Sequence, residues 1–299
     1  MKDKATAAGL GALLIWSASV ALMRGVSENM GLLTGPALAS LIGGVLALAW
    51  TRLRGQSVKA MFRLPPKYLW GCGLLFVACN VSLYLAIGAC ADRPQTLVVA
   101  LVNYLWPVLT VALSVPLLGR RAKAWLPAAC LVAVAGTAVA LLGGERLDPG
   151  FWATARGLFI LAMGLVAAVS WGLYSNLARL WGDPDRGAVP LFALATAAAL
   201  GLLLLLRPET PRWSLRAVLE VATLGVASLM AAYALWDLGM RRGDHAFLGV
   251  CSYFVPVAST VVSAVYLGVR PGWHVLAGCA LVTAGALLSS RALRGEPPL

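Results

Sequence analysis

The organisation of this chain follows from the segment YLAIGACADRPQTLVVALVNYLWPVLTVALSVPLLG, residues 84–119, because its framework occurs a second time. A shift of 149 positions, without a gap, aligns it with residues 233–268. In this alignment, identical tyrosine, proline, serine and glycine residues stand opposite each other. The register continues to residue 136, and 13 of the 53 aligned positions are identical. Chance would give roughly a tenth at this composition, so the sequence indicates a duplicated unit.

The composition is that of an integral membrane protein. Of the 299 residues, 60% are hydrophobic and 12% are charged, and the mean hydropathy is +0.83. Soluble domains carry about 25% charged residues. The net charge of +12 does not indicate nucleic-acid binding, because Lys and Arg are spread over short connections instead of forming one basic face. We therefore expect the protein to lie in a lipid bilayer and to bind no nucleic acid.

Apolar runs of sufficient length recur along the whole chain. A hydrocarbon core about 30 Å thick needs roughly 17 to 25 apolar residues per helix. The sequence predicts ten such helices, at residues 5–23, 35–51, 68–89, 95–118, 124–142, 156–180, 188–206, 217–240, 246–267 and 273–290. The first run is expected to remain in place, not to be cleaved as a signal, because nine more follow. We predict an all-α integral membrane protein with a single domain over residues 1–299.

The distribution of Lys and Arg predicts the topology. Sixteen of the 24, including all five lysines, fall on one side of the predicted helices, which is typical of the cytoplasmic side. Both termini are then cytoplasmic. Five helices in each half is an odd number, so the halves, 1–142 and 156–290, enter the membrane from opposite sides. Inverted repeats of this kind are common in transporters that work by alternating access.

Polar side chains within apolar helices mark a candidate cavity. They must face protein or water, because lipid offers them no hydrogen-bond partner. Asn80 and Asn103 are the most informative, since an amide is large and costly to bury. Ser and Thr, including Ser252, also serve as ordinary helix-packing residues, and that alternative stays open for them.

Aromatic residues away from the helix ends need an explanation other than the interfacial belt. Tyr84 follows Asn80 by four positions and Trp106 follows Asn103 by three, so each pair shares a helical face. We predict that an apolar chamber is formed with Asn80, Asn103 and Ser252 by eight aromatic residues: Trp16, Tyr84, Tyr104, Trp106, Trp171, Tyr174, Tyr233 and Tyr253.

Two prolines occupy matched positions of the two halves, Pro107 and Pro256. A proline inside a helix removes one hydrogen bond and frees a carbonyl group. The sequence therefore predicts kinks in the fourth and ninth helices. These kinks are either gating elements or fixed bends for packing.

Catalytic and metal-binding constellations are not indicated. The two histidines are isolated, and the six cysteines form no CxxC motif, so we expect no metal, no cofactor and no enzymatic activity. Asp237 lies within a predicted helix, four residues before Arg241. We expect an ion pair there; the alternative is a proton-coupling carboxylate.

The ten predicted spans, the inverted five-helix repeat and the prolines of the fourth and ninth helices resemble the drug/metabolite transporter superfamily. The chain is more closely similar to the aromatic amino acid exporter branch of that superfamily, through Trp16, NYLWP at 103–107, SWGLYSNLAR at 170–179 and YFVP at 253–256. The resemblance implies an inner-membrane carrier of bacteria that exports Phe, Tyr, Trp and similar compounds through a central cavity. It would place Asn80, Tyr84, Tyr104, Trp106 and Trp171 near the substrate.

The chemistry of the residues agrees with that implication. A zwitterion with an aromatic side chain can stack on Trp and Tyr, and its ammonium group favours aromatic faces and amide oxygens. We expect a monomeric exporter without strong ion coupling. The alternatives are a related carrier for other neutral amino acids or metabolites, with or without proton coupling, and a membrane protein that does not transport.

Overall fold

The computed structural model describes residues 2–143, 148–266 and 272–293, which form helices joined by short connections. The long helices are α1 (Lys2–Met30), α2 (Thr34–Leu53), α3 (Lys67–Ala89), α4a (Arg93–Asn103), α4b (Trp106–Leu118), α5 (Leu126–Leu142), α6 (Ala155–Trp181), α7 (Val189–Leu206), α8 (Leu215–Arg242), α9a (His245–Cys251), α9b (Val255–Tyr266) and α10 (Trp273–Ala292). The predicted all-helical class is confirmed. The last residue of the predicted ninth span, 267, lies outside the described part.

Several helices suit a bilayer. Within the described ranges, seven helical stretches are long and apolar enough to cross a membrane: α2, α3, Gln95–Leu118, α6, α7, α8 and α10. The apolar helices α5 and His245–Ser259 are shorter. Helix α1 begins with Lys2, Asp3 and Lys4. The chain is thus a multi-pass membrane protein, and the number of ten spans stays a prediction.

The helix starts follow from local chemistry. The first backbone N–H groups of a helix have no partner within it, and a side-chain oxygen just before the helix can accept from them. Four of the long helices listed above begin in this way, with acceptor-to-nitrogen distances of 2.8 to 3.1 Å. The capping residues are Asp92 for α4a, Thr154 for α6, Ser214 for α8 and Asp244 for α9a.

Two helices are interrupted at matched positions. The α-helical hydrogen bonding stops between Asn103 and Trp106, and a single 3-10 turn at Ser252–Phe254 separates α9a from α9b. Pro107 and Pro256 are each the second residue of the helix that follows. Because a proline has no N–H to donate, it fits the first turn of a helix, where that donor would be unpaired. The prolines therefore start new helices after the breaks.

The two ends of the bundle differ in their connections. One end carries residues 54–66, 119–125, 182–188 and 243–244, together with the start of α1. Lys2 forms an ion pair of 3.7 Å with Asp244, and the Asp244 N–H donates to the Thr6 hydroxyl at 2.8 Å. Many of the Lys and Arg residues lie here, so we call it the basic end, and we call the other the opposite end.

A carboxylate closes the opposite end. Glu209, in the connection between α7 and α8, accepts hydrogen bonds of 2.9 to 3.1 Å from the backbone N–H groups of Leu32, Leu33 and Thr34. The Thr34 hydroxyl donates to it as well, at 3.0 Å. A negative charge at the start of α2 is favoured by the helix dipole. Only glycine fits at position 31, because its φ is +84° and a Cβ there would collide with the Glu209 carboxylate.

Replacing this carboxylate should destabilise the protein. We expect Glu209→Ala to lower the free energy of unfolding by about 2 kcal/mol, because several N–H groups lose a charged acceptor. Unfolding in mixed detergent micelles, followed by tryptophan fluorescence, measures the difference. Thr210→Ala, at the exposed neighbouring position, is the control and should change stability little. Equal stability of the two variants would show that Glu209 does not hold the connection in place.

Candidate functional site

A group of aromatic side chains lies where six helices meet. Its members are Trp16, Phe76, Trp106, Trp171, Tyr174, Phe192, Tyr233 and Trp236, and we call them the aromatic cluster. Trp16 of α1 contacts four other rings, with centroid separations from 5.3 Å to Tyr233 up to 6.3 Å to Trp106. Helix α1 therefore brings both halves of the chain to one point.

Most of the rings meet edge to face. This arrangement suits the quadrupole of an aromatic ring, whose face is negative and whose edge is positive. Three pairs are tilted, and Trp171 and Tyr174, three residues apart on α6, are stacked, with centroids 4.8 Å apart and an interplanar angle of 13°. Trp16 and Tyr233 keep partial exposure, whereas Trp106 and Trp171 are buried. The rings pack against one another, so an entering ligand must displace some of them.

One amide lies against the cluster. The hydroxyl of Tyr233 donates to Oδ1 of Asn80 at 2.9 Å, and Nδ2 of Asn80 donates to the carbonyl oxygen of Phe76 at 2.9 Å. Asn80 is buried. The amide is therefore held in one orientation, with its oxygen directed at the phenol of a partly exposed tyrosine. An oxygen and a hydroxyl next to aromatic faces can receive both the ammonium group and the ring of an amino acid.

A buried carboxylate lies beside the cluster, towards the basic end. Oδ1 of Asp237 accepts from the hydroxyls of Tyr68 and Tyr174, at 3.0 and 2.9 Å. Oδ2 is 2.8 Å from the guanidinium of Arg241. The predicted ion pair is confirmed, and the structure adds the two phenols to it. Both carboxylate oxygens of Asp237 thus accept hydrogen bonds.

Five of the predicted lining residues come together in the aromatic cluster: Trp16, Trp106, Trp171, Tyr174 and Tyr233. Asn80 joins them through Tyr233, and Tyr104 packs against the same core. Tyr84 does not; it is buried in a separate cluster with Leu33 and Leu200. Asn103 ends α4a and is partly buried.

The matched tyrosines and prolines line another space. Tyr104, Pro107, Tyr253 and Pro256 line a small, partly open cavity of about 10 Å³ that reaches Thr137 of α5. The Tyr253 hydroxyl lies 3.5 Å from the thiol of Cys130. Ser252 donates to the carbonyl of Gly249, in its own helix, at 2.6 Å. Ser252 and Tyr253 are therefore placed by local packing at the break in α9, apart from the aromatic cluster.

The sequence contained a signal for two of the three cluster members that we did not single out. Trp236 follows Tyr233 by three residues and Phe76 precedes Asn80 by four, so each shares a helical face with a predicted residue. Phe192 lies near the start of α7 and carries no such neighbour. Tyr68 lies beside Lys67 and Trp70 at the start of α3, which is the position of an interfacial aromatic residue.

Comparison with known proteins agrees with this arrangement. Residues 158–291 match the EamA-like transporter family. The aromatic amino acid exporter YddG of Salmonella typhimurium is 32% identical over 98% of this chain and 98% of its own length. Its counterpart in Escherichia coli is 29% identical over 98% and 99%, and that of Ancylobacter novellus is 32% identical over 97% and 98%. A solved crystal structure with 30% sequence identity superposes with a TM-score of 0.81, over 97% of this chain and 98% of the other.

These matches define the class of the protein as a multi-pass membrane transporter, not an enzyme. The chain belongs to the EamA-like transporter family of the drug/metabolite transporter superfamily, in the branch of the aromatic amino acid exporters.

Proposed function

We propose that the protein exports aromatic amino acids, Phe, Tyr and Trp, and similar neutral metabolites across the inner membrane of a bacterium. The observation that carries the proposal is the aromatic cluster with the fixed amide of Asn80 against it. An aromatic side chain stacks on Trp and Tyr faces, and an ammonium group favours those faces and the amide oxygen. The relatives named for this activity match the chain over nearly its whole length.

The membrane arrangement that we propose has ten spans, cytoplasmic termini, and two inverted repeats at residues 1–142 and 156–290. Contacts between α5 and α10 support the repeats. A Cβ added at Gly136 would lie 2.6 Å from the backbone of Val282, and one added at Gly285 would lie 2.6 Å from the backbone of Ala133. The shift of 149 positions converts each contact into the other. Reciprocal contacts of this kind are what a two-fold axis between related halves produces.

Alternating access then takes place around this axis. The breaks before Pro107 and Pro256 lie in the matched helices α4 and α9, and their tyrosines line one cavity. Discontinuous helices at matched positions are a frequent element of transporters built from inverted repeats. We propose that these breaks are the positions at which the two halves bend. The predicted monomeric state is part of the same proposal.

Export is expected to follow the substrate gradient without strong ion coupling. Asp237 is 1% exposed, and it is bound by Arg241 and two phenols. A carboxylate that carries protons must lose such partners during the cycle. The ion pair with Arg241 supports a structural role for the Asp237 carboxylate.

Transport into liposomes tests the proposal. Purified protein is reconstituted, and uptake of labelled phenylalanine is measured with and without an imposed pH gradient, with alanine and threonine as comparison substrates. We expect saturable uptake of phenylalanine that ignores the gradient and exceeds that of alanine. Uptake of alanine alone would instead favour a carrier for other neutral amino acids, and a requirement for the gradient would favour proton coupling.

Asn80 should affect affinity more than folding. Asn80→Leu keeps the volume but removes the amide, and we expect the half-saturation concentration for phenylalanine to rise about tenfold, equivalent to about 1.4 kcal/mol. The same liposome assay gives this concentration. Ser82→Ala on the same helix removes a hydroxyl that donates to the carbonyl of Ala78, and it should leave the affinity unchanged. Equal affinities in all three proteins would remove Asn80 from the site.

A further inference from the structure

Asp237 connects more of the structure than its ion pair requires. Its donors come from α3 through Tyr68, from α6 through Tyr174 and from α8 through Arg241. Replacing a buried ion pair by apolar side chains often leaves stability unchanged or raises it, so such a pair is weak evidence for a purely stabilising role. A charge that joins three helices at one end of a transporter needs a further explanation.

The same network includes the connection between α6 and α7. The guanidinium of Arg241 donates to the backbone carbonyl of Pro184 at 2.9 Å and also to that of Asp183. The backbone N–H of Ala188 donates to the hydroxyl of Tyr68 at 3.2 Å. Residues 183–188 are thus held over the carboxylate from both sides.

Gly187 shows how closely this connection passes. A Cβ added at Gly187 would lie 2.5 Å from Oδ2 of Asp237 and 2.8 Å from the guanidinium of Arg241. The backbone at Gly187 therefore lies directly over the Asp237 carboxylate and separates it from the solvent at the basic end. We call this set the latch: Tyr68, Tyr174, Asp237, Arg241 and residues 183–188.

The carboxylate–guanidinium pair of the latch occurs in only one half of the proposed repeat. The shift of 149 positions relates Asp237 to Gly88 and Arg241 to Asp92, so the first half cannot form the same carboxylate–guanidinium pair. At the opposite end the closing carboxylate, Glu209, accepts mainly from backbone N–H groups. The two ends are therefore closed by different chemistry, although the repeat alone would make them alike.

Tyr174 belongs to both the latch and the aromatic cluster. Its ring stacks on Trp171 with centroids 4.8 Å apart, and its hydroxyl donates to Asp237 at 2.9 Å. Because the cluster is closely packed, an entering aromatic ring has to displace rings such as these. Movement of the Tyr174 ring away from Trp171 carries its hydroxyl away from the carboxylate. Occupancy of the cluster and closure of the basic end are then mechanically linked.

We infer that Asp237 is a positioning residue of the transport cycle: it holds the basic end closed through Tyr68, Tyr174 and Arg241, and an aromatic substrate opens this latch through Tyr174. The inference deepens the proposed function, and its part concerning the substrate rests on that function. Its part concerning closure rests only on the contacts given above. The two parts need separate measurements.

A native thiol reports on the latch. Cys72 is buried in the same core, one helical turn after Tyr68 on α3. In a protein that keeps only this cysteine, reconstituted in nanodiscs so that both ends face solvent, we measure the rate of alkylation by N-ethylmaleimide. We expect Tyr174→Phe to raise the rate about threefold and Asp237→Asn about tenfold. Tyr174→Phe removes one hydroxyl and leaves every charge in place, so its effect reports access to the thiol.

A second thiol separates opening from unfolding. Cys130 is buried on α5, against Tyr253, away from the latch. In a protein that keeps only Cys130, the same substitutions should leave the alkylation rate unchanged. Equal increases at Cys72 and Cys130 would indicate general destabilisation and overturn the latch. Unchanged Cys72 rates in both variants would overturn it as well.

Phenylalanine tests the link to the substrate. We expect it to raise the Cys72 alkylation rate in the protein with an intact latch, and to have no further effect in Tyr174→Phe. A latch that opens in the variants but ignores phenylalanine, in a protein that does transport phenylalanine, would refute the coupling through Tyr174. If phenylalanine is not transported, the proposed function fails, and the response of Cys72 to Tyr174→Phe and Asp237→Asn still decides whether the latch exists.

Discussion

Trp171→Ala should reduce phenylalanine transport at least a hundredfold. Trp171 contacts Trp16, Phe76 and Tyr233 at centroid separations of 5.1 to 6.0 Å, in addition to its stack on Tyr174. Each aromatic contact is worth about 0.5 to 1.5 kcal/mol beyond its buried area. Losing all four costs about 2 to 6 kcal/mol, and most of this range lies above the 2.7 kcal/mol or so that corresponds to a hundredfold change. The ratio of maximal rate to half-saturation concentration for phenylalanine in liposomes measures the effect.

Two further variants separate this effect from a general loss of folded protein. Trp171→Phe keeps an aromatic face and should lose only about tenfold. Trp70→Ala makes the same exchange as Trp171→Ala at a position that is 79% exposed, and transport should stay near that of the unmodified protein. A folded Trp171→Ala protein that transports phenylalanine normally would show that the aromatic cluster is not the substrate site.

The spans predicted from hydropathy agree with the observed helices to different extents. The sixth predicted span, 156–180, agrees closely with α6 at Ala155–Trp181. The first predicted span, 5–23, is much shorter than α1 at Lys2–Met30. Charged and polar residues at the ends of α1 are compatible with a helix but not with hydrocarbon. A prediction from hydropathy therefore stops at the last apolar residues, whereas the hydrogen bonding of the helix continues through the polar residues beyond them.

The candidate site was predictable only as far as residue type and spacing allow. The spacing of Trp171 and Tyr174 correctly predicted a shared face on α6, and the structure brings both to Trp16. The same reasoning applied to Tyr84 and Asn80 did not place Tyr84 in the cluster. Phe76, one turn to the other side of Asn80, packs on Tyr233 at 4.6 Å instead. Spacing fixes which residues share a face, but not which end of that face the neighbouring helices cover.

Irregular helical turns were beyond sequence reasoning. Helix α3 begins with a π-helical segment, Lys67–Cys72, and α8 contains another, Leu224–Ala232, immediately before Tyr233. A π-turn holds more residues than an α-turn, so it rotates all that follows relative to a 3.6-residue extrapolation. The contact between Tyr68 and Asp237 depends on such a segment. Residues with no unusual local pattern, such as Tyr68, can then acquire a central role through packing alone.

Gly136→Leu should strongly destabilise the protein. A Cβ at this position would lie 2.6 Å from the backbone nitrogen of Val282 and 2.9 Å from the carbonyl oxygen of Gly278. These are backbone atoms of α10, so no side chain can rotate away to make room. Small residues let membrane helices approach closely, and overpacking such a contact costs about 1 to 3 kcal/mol or more. We expect a loss of about 3 kcal/mol in the free energy of unfolding.

Unfolding in mixed micelles, followed by tryptophan fluorescence, measures this loss, and two variants interpret it. Gly201→Leu on α7 introduces the same side chain where nothing lies within 4 Å of an added Cβ, and it should not destabilise the protein. Gly285→Leu enters the reciprocal contact, 2.6 Å from the backbone of Ala133, and should cost about as much as Gly136→Leu. Such equality is expected only if α5 and α10 are related by the proposed two-fold axis. A large loss of stability in Gly136→Leu with none in Gly285→Leu would contradict that relation. The two glycines would then not occupy equivalent positions in the interface.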